Sequence, residues 1–225
     1  MYNVLDTYAQ VCKYSVVYLR KVMPRRTKEQ AAETRESIIS AALDVFSRQG
    51  YCSTTLNDIA KEIGLTKGAV YWHFKNKSDL LAELINYYER RYYSNLMDAR
   101  PDSIAEFRDK LEQISNQLVT DKEAQKFEFL CSFQIEWSVE FLAEVHERLK
   151  ELRDDPKIEF SRTLSHLQKI GQLRQDINIE KLTYSMCAIW MGMLDLALVK
   201  EITFETFHVL MLENFDRIME QHSSL

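Results

Sequence analysis

The chain has 225 residues, of which 46% are hydrophobic and 28% are charged, an ordinary globular composition with room for one large or two modest domains. Only five glycines and three prolines interrupt it. Hairpin turns and nucleotide-binding loops use glycine heavily, so this scarcity argues against β-rich folds and against Rossmann or P-loop enzymes. We therefore expect an all-α protein.

The four cysteines include no CxxC pair, and the sequence shows neither a signal peptide nor an apolar run long enough to span a membrane. We expect a cytoplasmic protein with no structural metal and no cofactor. The sequence has no HExxH spacing, no GxSxG motif and no glycine-rich phosphate loop. We therefore expect no enzymatic activity.

Charge is distributed unevenly along the chain, although the formal net charge is only −5. Residues 1–22 contain three basic and one acidic side chain, residues 23–77 contain nine and six, and residues 78–225 contain seventeen and twenty-seven. A basic front joined to an acidic remainder suggests a small head that binds a polyanion and a larger body with another role. We therefore predict a DNA-binding domain over residues 23–77 and a regulatory domain over residues 78–225.

The head is predicted to consist of helices separated by tight turns. Thr27 begins the first helix with a capping-box pattern, and Thr55 begins a second helix that ends at Gly64. Thr66 begins a third almost at once. Two short helices around a glycine turn have the dimensions of a helix-turn-helix, whose second helix, here residues 66–73, can lie in the major groove.

The second of these helices has side chains suited to DNA. Its candidate contacts, continued into the next cap, are Thr66, Lys67, Gly68, Ala69, Tyr71, His73 and Lys77. The small residues let the backbone approach base edges and phosphates, and the hydroxyl, imidazole and ammonium groups suit phosphate oxygens. Alternatively, the aromatic residues Tyr71, Trp72 and Phe74 are only core residues of a small bundle.

A series of short motifs extends through residues 34–81. The motifs are Thr34-Arg35, Ala41-Ala42, Phe46, Gly50-Tyr51, Thr54-Thr55, Ile59-Ala60, Ile63-Gly64, Thr66-Lys67-Gly68, Val70-Tyr71-Trp72-His73-Phe74, Lys75-Asn76-Lys77 and Leu80-Leu81. Together they resemble the DNA-binding domain of TetR-family transcriptional repressors, over about a fifth of the chain.

The resemblance implies a homodimer that binds palindromic operator DNA. It places Thr66, Lys67, Ala69 and Tyr71 near bases or phosphates, and Thr55, His73 and Lys77 on the DNA backbone. Gly68 matches the family's small residue, and Trp72 matches an aromatic position that packs against the DNA-facing surface or the core.

The body is predicted to be helical throughout. A fourth helix begins near Asn76, an amphipathic helix follows Pro101, and residues 127–142 form a segment that is apolar on more than one helical face. Such a helix must be buried centrally or line a cavity. Later helices are predicted over residues 158–170, 179–199 and 204–219.

The aromatic segment and one later helix supply the candidates for a ligand pocket. They are Phe129, Phe133, Glu136, Trp137, Met186 and Trp190. Because Glu128 and Glu136 lie within the aromatic segment, a carboxylate inside the pocket would favour a cationic, lipophilic ligand. Alternatively, Glu136 points to solvent or pairs with an arginine, and the methionines fill gaps in the core.

The last two helices have apolar stripes, and the final one repeats at coiled-coil-like spacing. The candidates for a dimer interface are Leu194, Leu198, Phe204, Phe207, His208, Met211 and Phe215. In TetR-like proteins the last two long helices usually form the dimer, so the resemblance and the pattern agree. We interpret His208 as an interface or core histidine rather than a ligand.

Residues 1–22 resemble no part of the family, whereas residues 23–28 look like an ordinary start for it. This favours a start of translation at Met23 and a misassigned extension before it. Alternatively, residues 16–21 form an extra helix that adds basic charge near the DNA.

The leading hypothesis is a ligand-responsive repressor that binds its operator as a homodimer and is released by a small lipophilic effector. The alternative is a DNA-binding regulator whose body docks another protein and has no effector, which a fully packed body would favour. An enzyme on a helical scaffold would instead need a buried pair of perturbed acids. The aromatic, methionine-rich body suits control of multidrug efflux, and an apolar tunnel would also suit lipid-like or acyl-thioester ligands.

Overall fold

The computed structural model describes residues 27–98, 100–135, 138, 141, 143, 145, 147, 148 and 156–224, with the backbone alone at 94–98 and 156–159. The predicted extension, residues 1–22, and the pocket candidates Glu136 and Trp137 lie outside this part of the chain. Two compact units divide the chain at residue 37. The first is described from Thr27, which exchanges hydrogen bonds of 3.1 and 3.2 Å with Gln30 in the expected capping box.

Within the described ranges the chain forms α-helices and no strand, which confirms the all-α expectation. The helices are α1 (Lys28–Gln49), α2 (Leu56–Glu62), α3 (Lys67–His73), α4 (Lys77–Asp98), α5 (Ile104–Thr120), α6 (Lys122–Phe129), α7 (Pro156–Lys169), α8 (Ile179–Leu198) and α9 (Phe204–His222). A π-helical turn (Leu130–Gln134) continues α6 directly. The helix starts expected at 179 and 204 agree with the structure, and the amphipathic helix expected after Pro101 begins at Ile104.

Side-chain caps fix the two short helices of the head. Thr55 accepts a hydrogen bond from the backbone N–H of Asp58, whose carboxylate accepts one from the backbone N–H of Thr55, which completes a capping box. Thr66 caps α3 in the same way by accepting from the backbone N–H of Ala69 at 3.2 Å. Between the two helices Gly64 adopts a φ of 66°, a left-handed conformation that favours glycine. The turn of the helix-turn-helix is therefore built as the sequence predicts.

The apolar core of the head continues into the body. Helix α1 buries the face that contains Ile38, Ile39 and Phe46, and the same core includes Val70 of α3. The core then extends along the buried face of α4 to α6, where Tyr88 stacks on Phe127 with ring centroids 5.4 Å apart. Head and body therefore share one core.

A second core lies farther along the body. Phe107 of α5 is fully buried between Phe160 of α7 and Phe215 of α9, with ring centroids 5.1 and 5.4 Å away. Trp190 of α8 packs against this core and against the first one. An isolated antiparallel bridge between Leu173 and Ser223 ties the end of α9 to the connection before α8.

The apolar segment that was predicted as one continuous helix is broken in the structure. Helix α6 ends at Phe129, the π-helical turn follows, and Ile135 is extended, with φ −111° and ψ 120°. With this break, Leu130 at the start of the π-helical turn and Ile135 directly after it are both buried.

Replacing Phe107 with alanine tests the second core. We expect a loss of about 3–5 kcal/mol in the free energy of unfolding, because the ring fills space between two other rings and leaves a cavity when removed. Urea unfolding at matched protein concentration measures the loss. The half-exposed Ile170 provides a control, since I170A should change stability by less than about 0.5 kcal/mol. Equal effects of the two variants would contradict the described packing.

Candidate DNA interface and effector cavity

Helix α3 presents a sharply divided surface. Val70 is fully buried and Phe74, directly after the helix, is 1% exposed, whereas Tyr71 and Trp72 are 48% and 73% exposed. The structure therefore separates the three aromatic residues that the sequence left ambiguous. Phe74 is a core residue, and the other two rings lie on the outer surface of the helix.

Lys67 and Gly68 form the exposed beginning of that surface. The Lys67 ammonium lies 5.4 Å from the centre of the Tyr71 ring, so the two side chains lie together. A Cβ atom added at Gly68 would meet nothing within 4 Å, which means that its small size is not required by packing inside this protein. It leaves a low surface that an approaching DNA backbone could use.

Several polar groups predicted to contact DNA have partners within the chain. The hydroxyls of Thr55 and Thr66 cap α2 and α3, and the Thr55 hydroxyl also donates to the Asp58 carboxylate at 2.6 Å. Hydrogen bonds from the Thr55 side chain and backbone hold the pKa of Asp58 below its usual value. The half-buried His73 ring lies 4.6 Å, edge to face, from Trp72.

Lys77 differs most from the sequence-based expectation. Its ammonium donates hydrogen bonds to the carbonyls of Tyr51, Cys52 and Thr54 at 2.8, 3.2 and 2.9 Å. It also lies 4.2 Å from the centre of the Tyr51 ring, and burial lowers its pKa. Since all three N–H donors are used, a phosphate contact would require one of these bonds to break. The structure thus revises the role of Lys77 from phosphate contact to anchor of the loop before α2.

A cavity of about 330 Å³ lies in the body. The residues that line it come from α4 to α9 and the π-helical turn: Glu89, Tyr93, Leu111, Ile114, Phe127, Glu128, Cys131, Phe160, Met186, Cys187, Ile189, Trp190, Met191, Met211, Asn214, Phe215 and Ile218. Two of the predicted pocket residues, Met186 and Trp190, are among them.

Two other predicted pocket residues lie elsewhere. Phe129 and Phe133 are absent from the cavity lining, and their rings pack on each other with centroids 5.5 Å apart. For Phe133 the π-helical turn explains this, because it changes the direction in which the side chains after α6 point, whereas Phe129 is the last residue of α6 itself. The prediction is therefore corrected: the aromatic segment contributes Phe127, Glu128 and Cys131 to the cavity instead.

Glu128 and Tyr93 form a polar pair, of which the sequence indicated only Glu128. The Tyr93 hydroxyl donates to Glu128 Oε1 at 2.5 Å, and both side chains line the cavity. Burial raises the pKa of Glu128 to about 7, with a smaller rise from Asp195. The sequence did indicate a carboxylate in an aromatic segment, but its helical periodicity could not decide between Glu128 and Glu136.

A separate groove of about 600 Å³ is open and polar. Arg100, Arg162, His166 and Lys169 contribute to its lining, and His166 Nε2 lies 2.8 Å from Asp102 Oδ1. Although the groove is larger than the cavity, charged and hydroxyl-bearing side chains line it, whereas most of the cavity's lining residues are apolar. The cavity is therefore the better candidate for the effector site.

The predicted dimer stripe faces the inside of the chain. Phe207 is fully buried, and Leu194, Met211 and Phe215 are also buried within the protein. His208 Nδ1 lies 2.8 Å from the Ser115 hydroxyl of α5. Leu198 and Phe204 are only half-buried but pack against the same core. This is a correction: periodicity found a true apolar face of α9, but α5 and α8 cover it.

A different apolar surface is exposed on α8. We call it the outer face of α8, and it consists of Tyr184, Ala188, Met191, Gly192, Leu196 and Val199. Met191 is 63% exposed and Val199 is 50% exposed, which is unusual for side chains of this type. The two small residues would let another helix approach closely.

Two further properties concern only the described residues. None of their helices is long and apolar enough to cross a membrane. Among them there is also no cluster of three or more histidine, cysteine or acidic side chains that could hold a metal ion.

Comparisons with known proteins agree with this architecture. Residues 38–84 match the family model of bacterial regulatory proteins of the tetR family. ArpR of Pseudomonas putida, a probable HTH-type transcriptional regulator, is 30% identical over 176 residues, which cover 76% of this chain and 83% of that protein. AcrR of Shigella flexneri, an HTH-type transcriptional regulator, is 56% identical over 62 residues, 28% of this chain and 29% of its own.

Among solved structures, the complex of SmeT with triclosan has a TM-score of 0.71 at 25% identity and covers 85% of this chain and 92% of its own. SmeT is the repressor of the multidrug efflux pump SmeDEF of Stenotrophomonas maltophilia. The match to ArpR extends well beyond the helix-turn-helix into the body. The chain therefore belongs to the tetR family of bacterial regulatory proteins, and it is a transcriptional regulator rather than an enzyme.

Proposed function

We propose that the chain is a homodimeric repressor that binds a palindromic operator through α3 and is released from it by a small lipophilic effector. The observation that supports this best is the double role of residues 122–134, which form α6 and the π-helical turn. They line the cavity with Phe127, Glu128 and Cys131, and they also contact the head. A ligand in the cavity would therefore act on a segment that holds the DNA-binding helices.

Hydrogen bonds and an ion pair connect this segment to the head. The backbone N–H of Tyr51 donates to the carbonyl of Gln134 at 3.0 Å, and Lys126 forms an ion pair with Asp44 of α1. Tyr51 is also one of the residues that Lys77 anchors. A shift of the π-helical turn would thus be passed to the loop that precedes the helix-turn-helix.

A ligand changes such an equilibrium only by its different affinity for the two conformations. The effector must therefore fit the cavity better in the conformation that does not bind DNA. The solved complex of SmeT with triclosan supports a small lipophilic effector for this chain as well. A fully packed body would have favoured the alternative of a protein-docking regulator, whereas the described cavity favours an effector.

The direct test is a fluorescence-anisotropy titration of the purified protein against the DNA upstream of its own gene, repeated with a panel of lipophilic compounds. Tight binding that is weakened by salt and released by one class of compound is the expected result. Tight binding that no compound releases would support the effector-free alternative. Failure to bind this DNA at low salt would contradict the proposed operator.

Lys67 and Lys77 provide a matched pair for testing the DNA surface. K67A should weaken operator binding and reduce the slope of log affinity against log salt by about 1, because one phosphate contact is lost. K77M removes the same charge from an internal anchor, so it should lower thermal stability and weaken binding without changing that slope. Anisotropy at several salt concentrations measures both. An equal change of slope in both variants would restore Lys77 as a phosphate contact.

The outer face of α8 is the surface that we assign to the homodimer. Two recognition helices must lie about 34–36 Å apart, or a multiple of this distance, to reach half-sites on one side of the DNA. The exposed apolar side chains of α8 would be covered by the same face of a second copy. Because apolar faces of this kind are costly to leave in water, their burial would stabilise the pair.

Introducing a charge on this face tests the dimer. V199E should shift the protein from dimer to monomer at micromolar concentration, because a carboxylate would be buried without a partner. Sedimentation velocity measures the shift. I170E changes another exposed apolar residue, which lies outside the outer face of α8, and should leave the dimer intact. A V199E protein that remains dimeric would place the interface elsewhere.

Trp190 tests the link between the cavity and DNA release. W190A enlarges the cavity and removes an aromatic wall, so at least about tenfold more effector should be needed to release half of the DNA. Operator affinity without effector should stay within about twofold, as measured by anisotropy. F133A removes a ring that lies outside the cavity lining, and its effector response should match the wild type. An unchanged response of W190A would remove this cavity from the mechanism.

A further inference from the structure

The charged side chains that line the described part of the cavity are all acidic. Two carboxyl groups, Glu89 and Glu128, line it, and among the described residues no lysine, arginine or histidine does. All other lining side chains are apolar or neutral, apart from the titratable Tyr93 and two cysteines. A cavity that is apolar over most of its surface but acidic at one place has the character of a site for an apolar molecule with a positive charge.

The carboxyl group of Glu128 is held in place by Tyr93. The tyrosine donates its hydrogen bond to Oε1 at 2.5 Å, and burial and the neighbouring Glu128 raise the pKa of Tyr93 well above its usual value. The phenol therefore stays neutral and acts as a donor. Oε1 is fixed by this bond, and the carboxylate has further lone pairs available to a cation in the cavity.

Aromatic rings surround the same space. Trp190 of α8, Phe127 of α6 and Phe160 of α7 all line the cavity. The face of an aromatic ring attracts a cation, and the attraction strengthens when water is excluded. The Trp190 ring is itself held edge-on by Phe207 at a centroid distance of 5.3 Å, so its orientation is defined.

We propose that the effector cavity selects lipophilic cations, with the positive charge of the ligand held against the Glu128 carboxylate and between the aromatic walls. This inference rests on the proposed function, because it names the class of effector for the same cavity. It also differs from the ligand found in the SmeT complex, triclosan, which is a chlorinated phenol and not a cation. The cavity would disfavour anionic ligands, since no basic side chain stands among its described lining residues.

Cation binding at this site is coupled to a proton. Since burial raises the pKa of Glu128 to about 7, a substantial fraction of the free protein has a neutral carboxyl group near neutral pH. A bound cation favours the ionised form and expels the proton. Affinity for a permanent cation is therefore highest above pH 7 and falls by about tenfold between about pH 8 and pH 6.

The groups that face Glu128 do not reverse this direction. Tyr93 and Glu89 approach from α4, Asp195 and Cys187 belong to α8, and Cys131 belongs to the π-helical turn, while the lining residues of α5 and α9 are uncharged. Asp195 raises the pKa of Glu128, and the hydrogen bond from Tyr93 lowers it by less than burial raises it. Ionised carboxyl groups near Glu128 also add to the attraction for a cation.

Two fluorescence measurements test the inference. N-phenyl-1-naphthylamine, a neutral aromatic probe, reports occupancy of the cavity, and benzyltriethylammonium, a permanent cation, competes with it. In the wild type we expect the cation to displace the probe, with an apparent affinity that falls about tenfold from pH 8 to pH 6. In E128Q, where the amide can still accept from Tyr93, we expect at least about a tenfold weaker displacement and no pH dependence.

The neutral probe separates failure of this inference from failure of the proposed function. Its own binding should be the same within about twofold in the wild type, in E128Q and in D109N, a control at an exposed carboxylate of α5. If the probe binds but the cation displaces it equally from the wild type and E128Q, the cavity takes lipophiles without regard to charge and the inference is overturned. If the probe does not bind to the wild type, both the cavity site and the inference are overturned.

Discussion

One continuous apolar core joins the DNA-binding helices to the body, and the behaviour of the whole molecule depends on it. The buried faces of α1, α3 and α4 share this core with α6 and with residues of α8 and α9. No flexible linker separates head from body at the start of α4, since Leu80 and Leu81 are fully buried there. Because closely packed interiors resist continuous deformation, a change in the body must move helices rather than be absorbed between them.

Polar contacts between α4 and α6 restrict the movement of these two packed helices along each other. Tyr88 donates to Glu123 at 2.8 Å, and the same carboxylate forms an ion pair with Arg91 at 2.9 Å, so α4 is tied to the start of α6. Farther along α4, Tyr93 is bonded to Glu128. The two bonds occupy the two ends of α6, and only the second lies at the cavity. The contacts of Glu123 hold the N-terminal end of α6 in place. The C-terminal end, at Glu128, lies at the cavity and can respond to a bound ligand.

Local signals in the sequence were sufficient for the head. Caps at Thr55 and Thr66 and the glycine turn at Gly64 depend on neighbouring residues only, so the helix-turn-helix could be predicted from them. The place of Lys77 could not, because its partners are backbone carbonyls more than twenty residues earlier in the chain. Residue type indicates a charge there but not whether the charge faces DNA or the protein.

The body was less predictable for a different reason. Periodicity correctly located the apolar face of α9 but could not tell whether another helix of the same chain or a second copy covers it. The π-helical turn could not be predicted either, since the composition of residues 130–134 does not distinguish it from an ordinary α-helix. That turn decides where the side chains after α6 point, including Cys131, which lines the cavity, and Phe133, which does not. Locating the candidate effector cavity therefore required tertiary structure, whereas locating the candidate DNA surface largely did not.

The three carbonyls around Lys77 form a cage of the kind that otherwise surrounds a bound alkali ion. In this protein the cation is the ammonium group of Lys77, which is part of α4. It therefore cannot exchange with ions in solution, and added salt cannot displace it. Because the ammonium is partly buried and directly bonded, mobile ions screen it weakly. The loop before α2 should consequently keep its shape across ionic strengths. The salt dependence of DNA affinity should then report only the counterions released from the DNA. A salt-induced change in the conformation of the head should not contribute to it.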